Sequence, residues 1–152
     1  MIDKYLKWLT ENQEIRHHEI QLAPYSKSYF YSLPNHDEIT HRSYGTYYSL
    51  LYDGKKIGIV GFIPLKTRGD VLGQILIHPN FRGKQILQTA YDLLAKKHNI
   101  KNLFVTILDE NTSSIKGHFK AGFVKATDDQ DQKLRKQGYL YPGESRYEKT
   151  YK

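Results

Sequence analysis

Apolar positions along the chain change their period several times, and each change marks an element. Ile2, Tyr5, Leu6 and Leu9 recur at helical spacing and predict a short amphipathic helix ending near Asn12. Over residues 15–48, His, Tyr and Ser alternate with isolated apolar residues, which supports only a strand at 19–23 followed by short helices. The signal then sharpens. Two β-rich runs, 47–52 and 57–65, flank Asp53-Gly54, a dipeptide suited to a tight hairpin turn. A third run, 71–78, follows Arg68-Gly69-Asp70 and is closed by Pro79, so a three-stranded meander is predicted.

Beyond Pro79 the period becomes helical. Ile86, Leu87, Ala90, Leu93 and Leu94 fit one helical face, while Lys96, Lys97 and His98 stand where cations complement the carbonyl end of the dipole. Asn99 is suited to a left-handed stop. Residues 103–108 are a continuous apolar run, as expected of a strand buried on both faces beside a parallel neighbour. Residues 71–108 therefore predict a β-α-β unit. Asn111 suits the cap of a second helix, whose Ile115 and Phe119 share a face and whose end is marked by Gly122-Phe123. Strands at 123–127 and 145–151 complete a mixed sheet, and the polar stretch 128–143 between them reads as a mobile loop with some helix. No repeat or linker divides the chain, so the expectation is one α/β domain over residues 1–152.

Composition narrows the partners. No apolar run approaches the ~18 residues of a membrane helix, and the start lacks a secretory apolar stretch, so a soluble, cytoplasmic protein without a membrane partner is expected. The absence of cysteine excludes disulfides, thiolate metal sites and cysteine nucleophiles. His17-His18 and His36 with His41 lack a metal-ligand set, so no metal is expected. A formal charge of +7 favours an anionic partner: nucleic acid, a phosphorylated cofactor or an acidic substrate.

Residues 75–87 read as strand, Pro-containing turn, Arg82-Gly83 and helix start. Unpaired N–H groups of a first helical turn, with Arg82 and Lys84 beside them, form an anion site; the alternative is that Gly83 makes only a tight turn between solvated cations. The run Ile77-His78-Pro79-Asn80-Phe81-Arg82-Gly83-Lys84-Gln85-Ile86-Leu87 resembles the signature of the GNAT superfamily of N-acetyltransferases: apolar, x, Pro, x, x, Arg-Gly-x-Gly, apolar, small. The family's second signature is matched by Asn111, Ser114, Ile115 and His118-Phe119-Lys120-Ala121-Gly122-Phe123, and Ile57-Gly58-Ile59-Val60-Gly61 looks like the family's preceding strand. The chain departs from the pattern at Gln85, where a Gly is usual, and at Leu87, where a small residue is usual. Gln85 either crowds a phosphate or donates an amide hydrogen bond to it, and Leu87 continues the apolar face toward the core.

The resemblance implies a GNAT-like mixed central sheet with flanking helices and a splayed parallel strand pair that takes acetyl-CoA as cosubstrate. It implies a pyrophosphate site at Arg82, Gly83, Lys84, Gln85, Ile86 and Leu87, and a thioester carbonyl polarised by a strand N–H, for which Leu76 and Ile77 are nearest. Gly73 supplies either a local bulge or an unpacked position. Asn111 either only caps its helix or also bonds the pantetheine. His118 stands where many members carry the Tyr that protonates the departing thiolate; an imidazole titrating near its ordinary ~6.5 would make activity fall as pH rises above that value. Gln74 cannot serve as the base some relatives place in this strand, which leaves Asp70, His78 and Glu110 as alternatives. Tyrosines over residues 25–52, with Tyr139 and Tyr141, line an acceptor site, pack the core, or stack on single-stranded nucleic acid. The implied activity is acetyl transfer to a primary amine of a small molecule, peptide or protein. A non-catalytic CoA- or nucleic-acid-binding module on the same scaffold is the alternative, motivated by Gln85, Leu87 and the missing base.

Overall fold

Asp53 and Gly54 turn the chain with positive φ, 51° and 73°, the left-handed pair that a two-residue hairpin requires. In the computed structural model, which describes residues 14–39, 42 and 44–152, this hairpin joins β2 (Thr46–Tyr52) to β3 (Lys55–Pro64). The helix expected over residues 2–12 lies outside the described residues. On one side of the hairpin β1 (Gln21–Pro24) pairs with β2, and on the other β4 (Asp70–Ile77) pairs with β3, all antiparallel. A crossover through α2 (Ile86–His98) brings β5 (Asn102–Leu108) parallel to β4, as the 71–108 pattern predicts. The last strand, β7 (Glu144–Thr150), inserts antiparallel between β5 and β6 (Val124–Lys125), giving the order β1-β2-β3-β4-β5-β7-β6.

Helices cover both faces. Ile86, Ala90, Tyr91, Leu94 and Ala95 of α2 are buried against Val71, Leu103, Val105 and Ile107, and Asn99, with φ 53°, ends the helix as its sequence suggests. The opposite face carries α1 (Lys27–Ser32), whose Phe30 packs with Leu33, Ile59 and Leu76. Its N-cap is Ser26, which accepts from the Tyr29 N–H at 3.2 Å. Among the described residues no helix is long and apolar enough to cross a membrane.

Two sequence expectations are corrected and a third is made specific. The α3 helix (Thr112–Lys120) does not bury the Ile115–Phe119 face: Phe119 is 50% exposed and rests edge-on against Tyr147, whereas His118 is buried. Residues 118 and 119 both stand at helical spacing from Ile115, and the position of Tyr91 and Phe123 turns His118 inward. The polar stretch after residue 127 contains a nine-residue helix, α4 (Asp128–Lys136), started by a reciprocal Thr127–Gln130 capping box and three acidic residues in its first turn. Its Asp131 is buried and paired with Lys125 at 3.4 Å, so a charge rather than an apolar stripe anchors it. Finally, β6 is two residues long, not the five of 123–127: among the described residues it pairs with β7 alone, through Val124 and Lys125.

Gly73 is neither a bulge nor an unpacked position. The β3–β4 register runs through it without interruption, and a Cβ there would lie 2.8 Å from Leu103 Cδ1 and 3.0 Å from Tyr91 Cε1. The missing side chain is where the Tyr91 ring packs onto the sheet. Gly73→Ala should therefore cost ~1–3 kcal/mol of stability through overpacking. Urea denaturation checks this, and an unchanged midpoint would mean that Tyr91 and Leu103 move aside freely.

Candidate functional site

The parallel pair is held together only at one end. Asp70, Val71 and Leu72 of β4 face Asn102, Leu103 and Phe104 of β5, and beyond Leu72 the two strands part. Hydrogen bonds from the His78 N–H to the Ile57 carbonyl (2.8 Å) and from the Leu65 N–H to the Asp70 carbonyl (3.0 Å) fix the phase of the β3–β4 ladder. Even-numbered residues of β4 thus turn their backbone groups to β3. Gly73, Ile75 and Ile77 turn theirs into the gap. Of the two strand amides expected to polarise a carbonyl, Ile77 faces the gap, but the Leu76 N–H belongs to the β3 ladder. Ile75, which sequence reasoning missed, faces the gap too; only the register reveals this parity.

At the mouth of the gap the chain makes a short turn, Pro79–Phe81, and enters α2 through residues 82–85. Arg82 Nε donates to the Ile77 carbonyl at 3.3 Å. Gly83 has φ 75°, and Gln85, the N-cap of α2, has φ 60° and ψ 25°. The usual glycine at this place has a conformational reason: a left-handed backbone is needed, and Gln85 adopts it at a steric cost. Its exposed side chain makes no capping bond, so the first N–H groups of α2 stay available to a ligand.

The resulting cleft has a volume of about 720 Å³, in the range of small-molecule sites. Leu76, Ile77, Arg82, Gly83, Gln85, Ile86, Leu87, Asn111 and His118 all line it, while Lys84 is half-buried outside the lining. Leu87 does double duty, packing against the core as well. Asn111 Oδ1 accepts from the Ser114 N–H at 3.2 Å and from Ser113 Oγ at 3.3 Å, so its oxygen is spent on the cap. Sequence reasoning passed over Tyr91, whose buried ring forms part of the wall 6.1 Å from His118 and whose hydroxyl burial pushes well above its ordinary pKa. The neighbouring Ala90 and Leu94 gave Tyr91 the look of an ordinary core position.

His118, 4% exposed, lies between Tyr91 and Phe123, and its Nδ1 is 2.8 Å from the Ser114 carbonyl oxygen. A carbonyl only accepts, so Nδ1 carries the proton and Nε2 holds the lone pair. Burial lowers the imidazole pKa below 6.5, against a smaller opposing effect of the Ser114 hydrogen bond. Where the sequence leads us to expect an imidazole titrating near its ordinary value, burial shifts the balance further toward the neutral ring. The alternative bases lie elsewhere. Asp70 accepts from Asn102 Nδ2 at 2.8 Å at the closed end, His78 Nδ1 accepts from the Asn80 N–H at 3.1 Å, and neither they nor Glu110 line the cleft. No carboxylate is among the described residues that do. Among the described residues no cluster of His, Asp and Glu fits a metal: His17 bonds Thr89 Oγ1, His36 bonds the Leu33 carbonyl, and His41 lies outside them.

Residues 4–123 match the family described as acetyltransferase (GNAT) family. The chain belongs to the GNAT acetyltransferase family. Comparison with curated proteins gives no match. Solved GNAT structures share the fold at low identity. N-acetyltransferase PseH of Campylobacter jejuni, in complex with acetyl-CoA, has TM-score 0.64 at 12% identity over 88% of this chain and 99% of its own. A Bacillus subtilis acetyltransferase in complex with CoA has TM-score 0.65 at 16% identity, with 88% and 99% covered. A spermidine N-acetyltransferase chimera from Vibrio cholerae and hSSAT has TM-score 0.61 at 15% identity, with 87% and 95% covered.

In this GNAT turn, Gln85→Gly should raise stability by ~1 kcal/mol by removing the left-handed penalty. The denaturation midpoint measures it, and a fall would show that the Gln85 side chain contributes more than its backbone costs.

Proposed function

We propose that this GNAT chain transfers an acetyl group from acetyl-CoA to a primary amine, with its cofactor in the β4–β5 gap. The observation that carries the reading is that gap: unladdered amides along one wall, an uncapped helix start at the mouth, and a buried imidazole on the lining. The residues suit the cosubstrate. Outward amides of Gly73, Ile75 and Ile77 match an extended pantetheine, whose own amides donate and accept in the same spacing as a strand. Arg82, Gly83, Gln85, Ile86 and Leu87 frame a pyrophosphate at the positive end of α2, and Lys84 adds charge nearby. Asn111 keeps its Nδ2 as a donor after its oxygen has capped α3. When bound, acetyl-CoA supplies the activated acyl group.

The chain then has two chemical tasks. The β4 amides that face the gap stabilise the negative charge that develops on the acyl oxygen, without reorganisation. His118 Nε2 accepts the proton that the amine nitrogen sheds as its bond to the acyl carbon forms. It passes that proton to the sulfur as the carbon–sulfur bond breaks. The imidazole starts and ends neutral, and amide and thiol form with no proton gained or lost. A low pKa helps the second half, since a more acidic imidazolium releases its proton more readily.

Two measurements test this. Acetyl-CoA at 100 times its Kd should add ~2.7 kcal/mol of stability, and Arg82→Ala should weaken its binding more than Lys101→Ala, which lies outside the cleft. Equal effects would indicate diffuse attraction. Thiol release on an amine panel should fall ~10²-fold in His118→Ala with cofactor affinity retained. Because the neutral form is the active one and burial places its pKa below 6.5, activity should rise with pH through that region and show no descending limb above it. A descending limb assigned to His118 would return it to the role of a resting acid. Cofactor binding without thiol release on any amine would favour the non-catalytic CoA-binding reading.

A further inference from the structure

Across the sheet, Tyr47 of β2, Gly61 of β3 and Gln74 of β4 stand in one register row. The row is built around the tyrosine ring. A Cβ on Gly61 would lie 2.3 Å from Tyr47 Cδ1, and one on Gly45 would lie 2.6 Å from Tyr47 Cε2, so the ring lies in space left by both glycines. Lying across β3, it reaches two strands over. Tyr47 Oη donates to Gln74 Oε1 at 3.2 Å and itself accepts from the Arg42 N–H at 3.0 Å. With Tyr47 Oη donating to it, the Gln74 amide has its oxygen toward Tyr47 and its Nε2 hydrogens directed away from the ring.

Gln74 lines the cleft and shares its strand face with Leu76, on the α1 side, together with Asn35 and Ile39 of the lining. This is the side of the sheet away from His118. We infer that Gln74, held by Tyr47, is a specificity-determining residue that donates a hydrogen bond to an oxygen on the amine substrate, so the acceptor is a primary amine bearing a nearby carbonyl or hydroxyl oxygen. A site that aims a fixed donor at a substrate oxygen discriminates against analogues lacking it, because the donor is then desolvated without a partner. A carboxylate at this position would favour a second cation on the substrate. An amide does the opposite. Tyr47 acts through Gln74 and is a positioning residue.

The inference rests on the acetyl-transfer reading, and the experiment separates the two. Thiol release is followed with glycinamide (carbonyl), ethanolamine (hydroxyl), butylamine (no oxygen) and 1,4-diaminobutane (second cation), for the native chain and for Gln74→Met, Gln74→Glu and Tyr47→Phe. Each is compared as the kcat/KM ratio of an amine to butylamine, which cancels general effects on folding and on the cofactor. Gln74→Met should lower the ratio of whichever oxygen-bearing amine the native chain prefers by ~10-fold, mainly through KM, the scale of one lost hydrogen bond. Tyr47→Phe, which keeps the ring and removes only the hydroxyl, should lower it in the same direction. Gln74→Glu should raise the 1,4-diaminobutane ratio. Ratios that stay unchanged in Gln74→Met and Tyr47→Phe overturn the inference while leaving acetyl transfer standing. A native chain that prefers butylamine or 1,4-diaminobutane to both oxygen-bearing amines also overturns it. Absence of thiol release by the native chain on all four amines overturns the acetyl-transfer reading and this inference with it.

Discussion

Three residue pairs join β4 to β5, and the site depends on there being no more. Each strand is secured on its far side instead: β4 by a ladder with β3 from Val71 to Ile77, and β5 by a ladder with β7 along its whole length. Because both are held by outer neighbours, they can part without fraying. An exposed strand edge inside a protein is usually a liability. Here it is turned into an internal groove, with the α2 start at its mouth and α3 along its wall.

The electrostatics of that groove follow from what surrounds it. His118 is buried beside Tyr91 and Phe123, and burial keeps it neutral. The cations Arg82, Lys116 and Lys120 are at the rim, where long side chains stay hydrated while their charge reaches the opening. The positive charge at the rim thus acts as attraction toward the cleft, while His118 is kept from solvent. A conspicuous buried charge, Asp131, lies elsewhere, on the inner side of α4 with Lys125 and near Arg146. It serves to hold a polar helix onto the sheet.

Much of this was legible in the sequence where one local preference decided the outcome. Asp53-Gly54 and Asn99 take the positive φ their residue types favour, and the apolar run through Leu103 and Val105 is a strand, although it buries only the Leu103, Val105 and Ile107 face, with Phe104 half-buried and Leu108 exposed on the other. The Arg82-Gly83 turn and the Asn111 cap were legible for the same reason. Legibility failed where tertiary contact decided. Whether Phe119 or His118 faces inward depends on Tyr91 in another helix, and whether the Leu76 or the Ile77 amide enters the gap depends on the register with β3. Gln85 shows a third kind of limit: the turn geometry overrides a residue type that does not prefer it. The helix expected within 128–143 is α4: the capping-box spacing of Thr127 and Gln130 marks its start, but without an apolar stripe its extent was not legible.

The place of β7 between β5 and β6 has a consequence for the order in which the molecule assembles. A chain emerging from the ribosome presents β5, then β6, and the strand that belongs between them last. Until β7 arrives, β6 has no neighbour and β5 has an open flank of apolar residues, so one wall of the gap lacks the ladder that lets it stand apart from β4. Lys149 of β7 also closes the assembly, bonding Asp92 of α2 at 3.2 Å and the Ala121 carbonyl at the end of α3 at 2.6 Å. The residues of the two signature segments are therefore all synthesised before the site can exist. The last strand made is thus the one that secures the far wall of the gap.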